Sequence, residues 1–492
     1  RARVPSRACR VCGRMLHGLL FDSHGPGAYA VTHDIDERSR APRRSRRVIV
    51  ITRSFPRLSE TFIVDHVRAL LQAGHDVVIV ARRVDAASLA EQFGQSVRAV
   101  QLPSWTARGS PSLTGAVRRA AGWIGRHPEL RRSRIAWKRA LYAQRLRQVL
   151  ESLQPDLVHA HFGPHGVDAA IALEDSNTPL VVDFHGFDLT AFTQQRGWEL
   201  YRAALGSAHL VAHSAFAQRE LAEHGLPRPE RVVMGVDRQL FAARPRPATW
   251  GAPLHMISVG RLYEQKGHDL AIRTLALLRA RRPDLDVRLR IVGDGPRMES
   301  LNRLAEELGM RDVVTGPAPA RPREVAAALF EADLALVPSR VMRDGWQEAF
   351  CRVAIEAMAT GLPVVATRSG GLPDTVGEGG VVAVREDPAA LAAAAEVVLS
   401  ALCVRRGRPR ASTSPACTTT TSESRPSCSS AARRSLRADG GLSQQRHVLL
   451  RQEDHHRIVA VVETLDPAQH PNARTMDRRQ QRVPHALELG LH

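Results

Sequence analysis

Apolar positions along the chain fall in short continuous runs rather than in alternation, the pattern of strands buried on both faces of a parallel sheet. The first run is VIVIT at 48–52. A helix is predicted from Ser59 and Glu60, where SETF places a hydroxyl cap and an acid at a helix start, and it ends at Gly74. HDVVIVA at 75–81 follows as a second strand, so the opening unit is strand, helix, strand, the right-handed crossover of doubly wound sheets. The rhythm continues through DLVHAH (156–161), PLVVDFH (179–185) and HLVAHS (209–214). Between Phe241 and Pro253, ARPRPATWGAP breaks it with three prolines and a glycine, which is linker chemistry. A second series begins at HMISVG (255–260) and runs through VRLRIVG (287–293), DLALVPS (333–339), PVVAT (363–367) and GVVAV (380–384).

The pattern predicts an α/β fold of two Rossmann-like doubly wound domains, at 48–245 and 253–402, facing a central cleft. Ligands of such sheets bind beyond the carboxyl ends of the strands. A chain of 492 residues has room for two cores. The flanks read differently: residues 1–47 show no sustained period, and 403–492 open on CVRRGRPRASTSPACTTTTSESRPSCSS, with which no core can be written. The first flank is expected to lie outside the fold, and the second to be disordered or the product of a frame shift in a GC-rich gene. No apolar run reaches the roughly 18 residues of a spanning helix, and the start lacks signal-peptide order. The expectation is a cytoplasmic protein. Of six cysteines, Cys403, Cys417 and Cys428 lie in the biased tail, so free thiols are expected.

Net charge is +19, and the two flanks supply about +14 of it, so the excess is no argument for nucleic acid. One inner stretch is different. Residues 104–150 carry about 11 Arg and Lys against the single acid Glu129, interleaved with Trp105, Trp123, Ile124, Trp137 and Leu141. It reads either as a solvated helical face or as a patch for an anionic membrane surface, with Trp rings at the head-group level. No DNA- or RNA-binding motif accompanies it.

The densest chemistry lies in WQEAFCRVAIEAMATGLPVVATRSGGLPD, residues 346–374. Glu348 stands at the mouth of a strand-to-helix loop, and Ala349, Phe350 and Cys351 would offer the free N–H groups of a helix start to a diphosphate. Glu356 is eight residues on, about 80° around a helix, so both carboxylates can address one ligand. In VGRLYEQKGH a strand ends at Gly260, and Arg261 and Lys266 supply cations for a departing diphosphate. In RIVGDGPRMESL, Gly293 and Gly295 permit close backbone approach to a base or ribose, or form a plain turn.

GRLYEQKG, VGDGP, the E-x7-E of EAFCRVAIEAMATGLPVVAT, and SGGLPD, in that order, resemble the retaining GT-B glycosyltransferases usually called family 4, over residues 48–400. SFPRLSETFI (54–63), HAHFG (159–163) and FHGFD (184–188) look most like bacterial exopolysaccharide transferases of the colanic-acid type. The resemblance implies transfer of a hexose from a nucleotide diphosphate sugar to a saccharide or lipid-linked saccharide, at the inner face of the plasma membrane. By it, Arg261 and Lys266 would bind the donor diphosphate, Glu348 the sugar hydroxyls and Glu356 the ribose. His185 would reach the sugar near the reacting carbon. It implies neither cofactor nor metal. The rivals are a sugar-nucleotide epimerase of the same fold and a non-catalytic nucleotide-sugar-binding remnant.

Some positions depart from the family pattern. Many relatives have Gly at Ala349 and Cys351, and a glycine-rich loop where this chain reads PRLSETF, leaving Ser59 and Thr61 as candidate contacts. The family's final helix crosses back onto the first domain, whereas here the pattern stops near Leu402. His159, His161 and His165 read as acceptor contacts rather than metal ligands. Cys9, Cys12 and His17 form a CxxC without a second pair, so zinc is not expected there.

Overall fold

The computed structural model describes residues 45–57, 60–102, 113–243 and 253–405, and three later strands. The first domain comprises β1 (Arg47–Phe55), α1 (Thr61–Gln72), β2 (Asp76–Val84), α2 (Ala86–Phe93), β3 (Arg98–Gln101), α3 (Leu113–Arg126), α4 (Arg134–Leu153), β4 (Leu157–His161), α5 (Gly163–Ala172), β5 (Leu180–Phe184), α6 (Ala191–Arg196), α7 (Glu199–Ala204), β6 (His209–Ala212), α8 (Ala215–Glu223), β7 (Glu230–Arg231) and α9 (Arg238–Phe241). Its seven strands are parallel, in the order 3-2-1-4-5-6-7.

The second domain repeats the plan. It comprises β8 (Leu254–Val259), α10 (His268–Arg281), β9 (Val287–Val292), α11 (Met298–Glu307), β10 (Val314–Ala318), α12 (Pro322–Glu331), β11 (Leu334–Val337), α13 (Arg352–Ala359), β12 (Val364–Ala366), α14 (Leu372–Val376), β13 (Gly380–Val382) and α15 (Pro388–Arg405). Its order is 10-9-8-11-12-13. Both sheets reverse direction beside their first strand, at β1/β4 and at β8/β11, and such switch points open the crevice in which ligands sit.

Alternation within a strand explains why the strands read as unbroken apolar runs. Val48 and Val50 pack with Ile63, Val67 and Leu70 of α1 on one face, while Ile49 and Ile51 join Trp123, Ile124 and Leu146 of α3 and α4 on the other. In the second domain Met256 faces α10 and α15, and Ile257 faces α12 and α13. Both sides of the inner strands are covered over most of their length, so most of their positions need an apolar residue.

The predicted strands are all present, and three more were missed. β3, β7 and β10 are short edge strands with half-exposed residues, and β10 contains Pro317, which an edge tolerates. The first helix starts at Thr61, with Glu60 as its cap residue making no side-chain cap bond; Ser59 lies outside the described residues. The same holds for Trp105, Cys9, Cys12, His17 and the linker 244–252. α15 ends three residues past the expected boundary, and no helix follows it among the described residues. The tail, read as patternless, does carry an antiparallel sheet of β14 (Val448–Glu453), β15 (Arg457–Val462) and β16 (Ala486–Gly490). No described helix is long and apolar enough to cross a membrane.

The basic stretch is corrected in one respect. Trp123 and Ile124 are core residues, and Trp137 is half-buried with its indole N–H donating to the Arg131 carbonyl at 3.0 Å. A helix packed on a sheet buries its largest apolar groups against that sheet, so these rings are not free for a head-group layer. Leu113, Val117, Arg118 and Arg119 are among the residues that α3 leaves exposed.

Candidate active site

The loop between β11 and α13 carries the paired-glutamate motif. The helix starts at Arg352 with Cys351 as N-cap, so Glu348, Ala349 and Phe350 precede it and the helical angle between the two glutamates does not apply. Ala349, Phe350 and Cys351 are each buried, yet among the described residues their N–H groups donate to nothing. Three consecutive buried amides without acceptors are costly unless an anion takes them, and the helix N-terminus behind them favours one. SGGLPD shapes this loop from below. Gly371 N–H donates to the Glu348 carbonyl at 2.6 Å, the Ser369 hydroxyl lies 3.3 Å from the Glu348 nitrogen, and a Cβ on Gly370, whose φ is +51°, would meet that carbonyl at 2.5 Å.

Glu348 is 6 % exposed, and its Oε2 accepts from the Lys266 ammonium and lies 3.3 Å from the Ser339 hydroxyl. Burial, the largest single influence, works to lower the Lys266 pKa, but the Glu348 charge, Cys351 and the hydrogen bond to Glu348 together outweigh it and hold the value above the ordinary lysine range. The structure thus brings Lys266 and Glu348 together as an ion pair at the β8/β11 switch point. Arg261 is exposed beside them, 5.4 Å from the Tyr263 ring centre, and its charge reaches Glu60 at the start of α1.

Glu356 is not open to a ligand on all sides. Its carboxylate is 3.5 Å from the Arg352 guanidinium, which also reaches Asp65 at 3.0 Å and the Thr61 hydroxyl at 2.9 Å in the first domain. Burial raises the Glu356 pKa in spite of Arg352. Gly293 and Gly295 pack against the loop that follows β8. At φ of +153° and +154°, Cβ atoms there would stand 1.9 Å from the Gly260 carbonyl and 2.8 Å from that of Leu262. The close approach that requires glycine is to the protein's own backbone.

Across the cleft, the loop after β5 meets this one. A Cβ on Gly186 would lie 3.3 Å from that of Ala349, and the rings of His213 and Phe350 are 6.0 Å apart. Asp374 of SGGLPD accepts from the Phe216 N–H at 2.7 Å. Next to Gly186, the His185 side chain is only 4 % exposed, in a row of imidazoles with His66, His159, His161 and His213 around Asp183. Burial drives the His66 and His185 pKa values down to about 3, so both rings are neutral. His213 is the exception, raised by Asp183, whose Oδ1 is 2.6 Å from its Nε2. His165 stands apart, 3.6 Å from the fully buried Asp168.

Sequence reasoning missed His66, Asp183, His213, Asp188, Ser339 and Arg352. Asp183 had a readable signal, an acid inside the apolar run PLVVDFH. Asp188 closes FHGFD by accepting from the N–H groups of Gly163, His185 and Gly186 at 2.8, 3.0 and 2.8 Å, which welds the β4 and β5 loops.

Two family models match the chain, one for each domain. Residues 59–240 match glycosyltransferase family 4, and residues 253–401 match glycosyl transferases group 1. The chain is 34 % identical to the Salmonella typhimurium protein assigned to colanic acid biosynthesis as the glycosyltransferase WcaL, over 69 % of this chain and 87 % of that one. It is 32 % identical to the D-inositol 3-phosphate glycosyltransferase of an Arthrobacter strain, over 51 % of this chain and 62 % of the relative. Among solved structures, Anabaena HepE in complex with UDP-glucose superposes with a TM-score of 0.54 at 19 % identity, covering 74 % of this chain and 91 % of that one. A sucrose-phosphate synthase from Thermosynechococcus elongatus gives 0.55 at 20 %, over 74 % and 91 %. These two likenesses are of fold, and the fold is GT-B.

Proposed function

The chain belongs to the family 4 (group 1) glycosyltransferases of GT-B fold, and on that premise we propose that it moves a hexose from a nucleotide diphosphate sugar to a lipid-linked saccharide, with retention at the anomeric carbon. The observation that carries this reading is the buried trio of unpaired amides at Ala349, Phe350 and Cys351, set beside the Lys266–Glu348 pair. The amides suit an anion and the carboxylate suits sugar hydroxyls, and a sugar diphosphate offers both. The amides and Arg261 take the diphosphate. Lys266 holds Glu348 and meets the same phosphate, Glu348 accepts from sugar hydroxyls, and Glu356 with Arg352 takes the ribose. His185 reaches the sugar from the opposite wall. The acceptor hydroxyl forms the new bond to the anomeric carbon, the bond to the diphosphate breaks, and the acceptor's proton passes to the departing phosphate oxygen.

The acceptor side rests on two features of the first domain. A cavity of about 380 Å³ is lined by Arg82, Lys138 and Arg145 with Leu102, Leu141 and Tyr142, cations beside apolar walls that suit the phosphate and first isoprene units of a lipid carrier. Leu113, Val117, Arg118 and Arg119 on α3 form a small apolar and basic patch that suits an anionic membrane surface. Relatives in colanic acid biosynthesis favour exopolysaccharide as the product class. The Anabaena complex makes UDP-glucose the first donor to try.

The test is nucleotide release from UDP-, GDP- and ADP-sugars, with and without undecaprenyl-linked saccharides. Release that depends on the acceptor is expected. Conversion of the donor without acceptor would make the protein an epimerase, and donor binding without release would make it a non-catalytic binder.

A further inference from the structure

The imidazole row at the carboxyl ends of β4, β5 and β6 holds more donors than sugar transfer uses. Its centre is a triangle of three atoms. His161 Nδ1 is 3.0 Å from His185 Nε2, and both face Asp183 Oδ2, at 3.5 and 3.7 Å. A circle through three points so spaced has a radius of about 2.0 Å, so a point just off their plane stands at the 2.0 to 2.1 Å bond length that zinc makes to histidine nitrogen and carboxylate oxygen.

The surroundings fit a metal site as well as the triangle does. The other nitrogen of His161, Nε2, is 3.0 Å from His66 Nδ1, which can accept the N–H that a ligand bound through Nδ1 must carry. The other oxygen of Asp183 is 2.6 Å from His213 Nε2, and His213 Nδ1 is 2.7 Å from the Val232 carbonyl, so the carboxylate is oriented by a third strand. His159 Nε2, 4 % exposed and without a hydrogen-bond partner, lies 3.7 Å from Asp183 Oδ2.

We propose that His161 Nδ1, Asp183 Oδ2 and His185 Nε2 bind one divalent transition-metal ion of the zinc class, with His159 Nε2 as the nearest fourth donor. Nitrogen donors with a single carboxylate select against calcium and magnesium, which take shells of oxygen. The ion ties β4 to β5 at the mouth of the cleft and fixes the His185 ring. The site takes no part in bond making and stands or falls apart from the transfer reaction.

The test uses the full chain. After chelation, loading with zinc and desalting, elemental analysis should find one zinc per chain. Cobalt loading should give the intense visible bands of a tetrahedral N/O site. His161→Gln and Asp183→Asn should each lower affinity by about two orders of magnitude or more, while His165→Gln, outside the triangle, retains the metal. Wild-type protein that keeps less than about a tenth of an equivalent overturns the proposal, as do weak octahedral cobalt bands or bands unchanged in both variants. The wild-type cobalt spectrum decides the matter even where a variant fails to fold.

Discussion

Glu348→Gln removes one negative charge and almost no volume, which makes it the sharpest probe of the donor site. The backbone around it is held by Ser369 and Gly371, so the side chain should keep its place. Two effects must then be separated. Lys266 loses its anionic partner but keeps an amide oxygen, so the cost falls below the roughly 3–5 kcal/mol of an orphaned buried charge; about 1–2 kcal/mol is expected, or a drop of about 2–4 °C in Tm. Loss of a group that holds the sugar in the transition state costs about 2.7–4 kcal/mol more of barrier, so turnover should fall about 10²- to 10³-fold. Acceptor-dependent UDP release at saturating donor reads the second effect, and a thermal melt reads the first. The double variant Glu348→Gln/Lys266→Met removes both charges, so that no ion is left orphaned, and should regain part of the lost Tm without regaining turnover. Turnover within about threefold of wild type in the single variant refutes the role of Glu348. Recovery of turnover in the double variant would reduce Glu348 to a counter-ion for Lys266.

Arg352→Ala removes the guanidinium that joins Glu356 to Thr61 and Asp65 across the cleft. A part-buried bridge of this kind is worth about 1–2 kcal/mol, so donor KM should rise about 5- to 30-fold, and an unchanged KM discards its part in closure. Leu113→Asp/Val117→Asp should weaken binding to anionic vesicles at low salt, binding that 1 M salt also abolishes. Wild-type protein that ignores such vesicles ends the membrane proposal. The Cys351 thiol is pushed up to about 12, first by burial and then by Glu348. A raised pKa in the folded state means that the fold prefers the neutral thiol, so this group costs nothing at pH 7 and lowers stability as the pH climbs from the ordinary thiol value of about 8.5 toward 12. Iodoacetamide at pH 8 should therefore label Cys351 only after unfolding, as peptide mass spectrometry would show; labelling of the native protein at a free-thiol rate contradicts it.

The sequence by itself determined the two doubly wound sheets, because strands covered on both faces must be apolar throughout and so announce themselves without any knowledge of their neighbours. It missed β3, β7 and β10 because edge strands carry no such requirement. It also singled out the loops proposed to hold the chemistry, since Arg261, Lys266 and Glu348 follow strand ends. Their partners were decided only by tertiary structure. Nothing local says that Lys266 reaches Glu348, that the Arg352 guanidinium beside Glu356 also reaches Asp65 and Thr61 of the first domain, or that the glycines of GDG lie against Gly260 and Leu262. Lys266 and Glu348, 82 residues apart, meet because β8 and β11 are neighbours in one sheet and their loops leave it at the same switch point. Likewise HAH, the acid of PLVVDFH and His66 lie on separate elements, and only the parallel register of β4 on β5, with α1 laid over their ends, gathers them around one point.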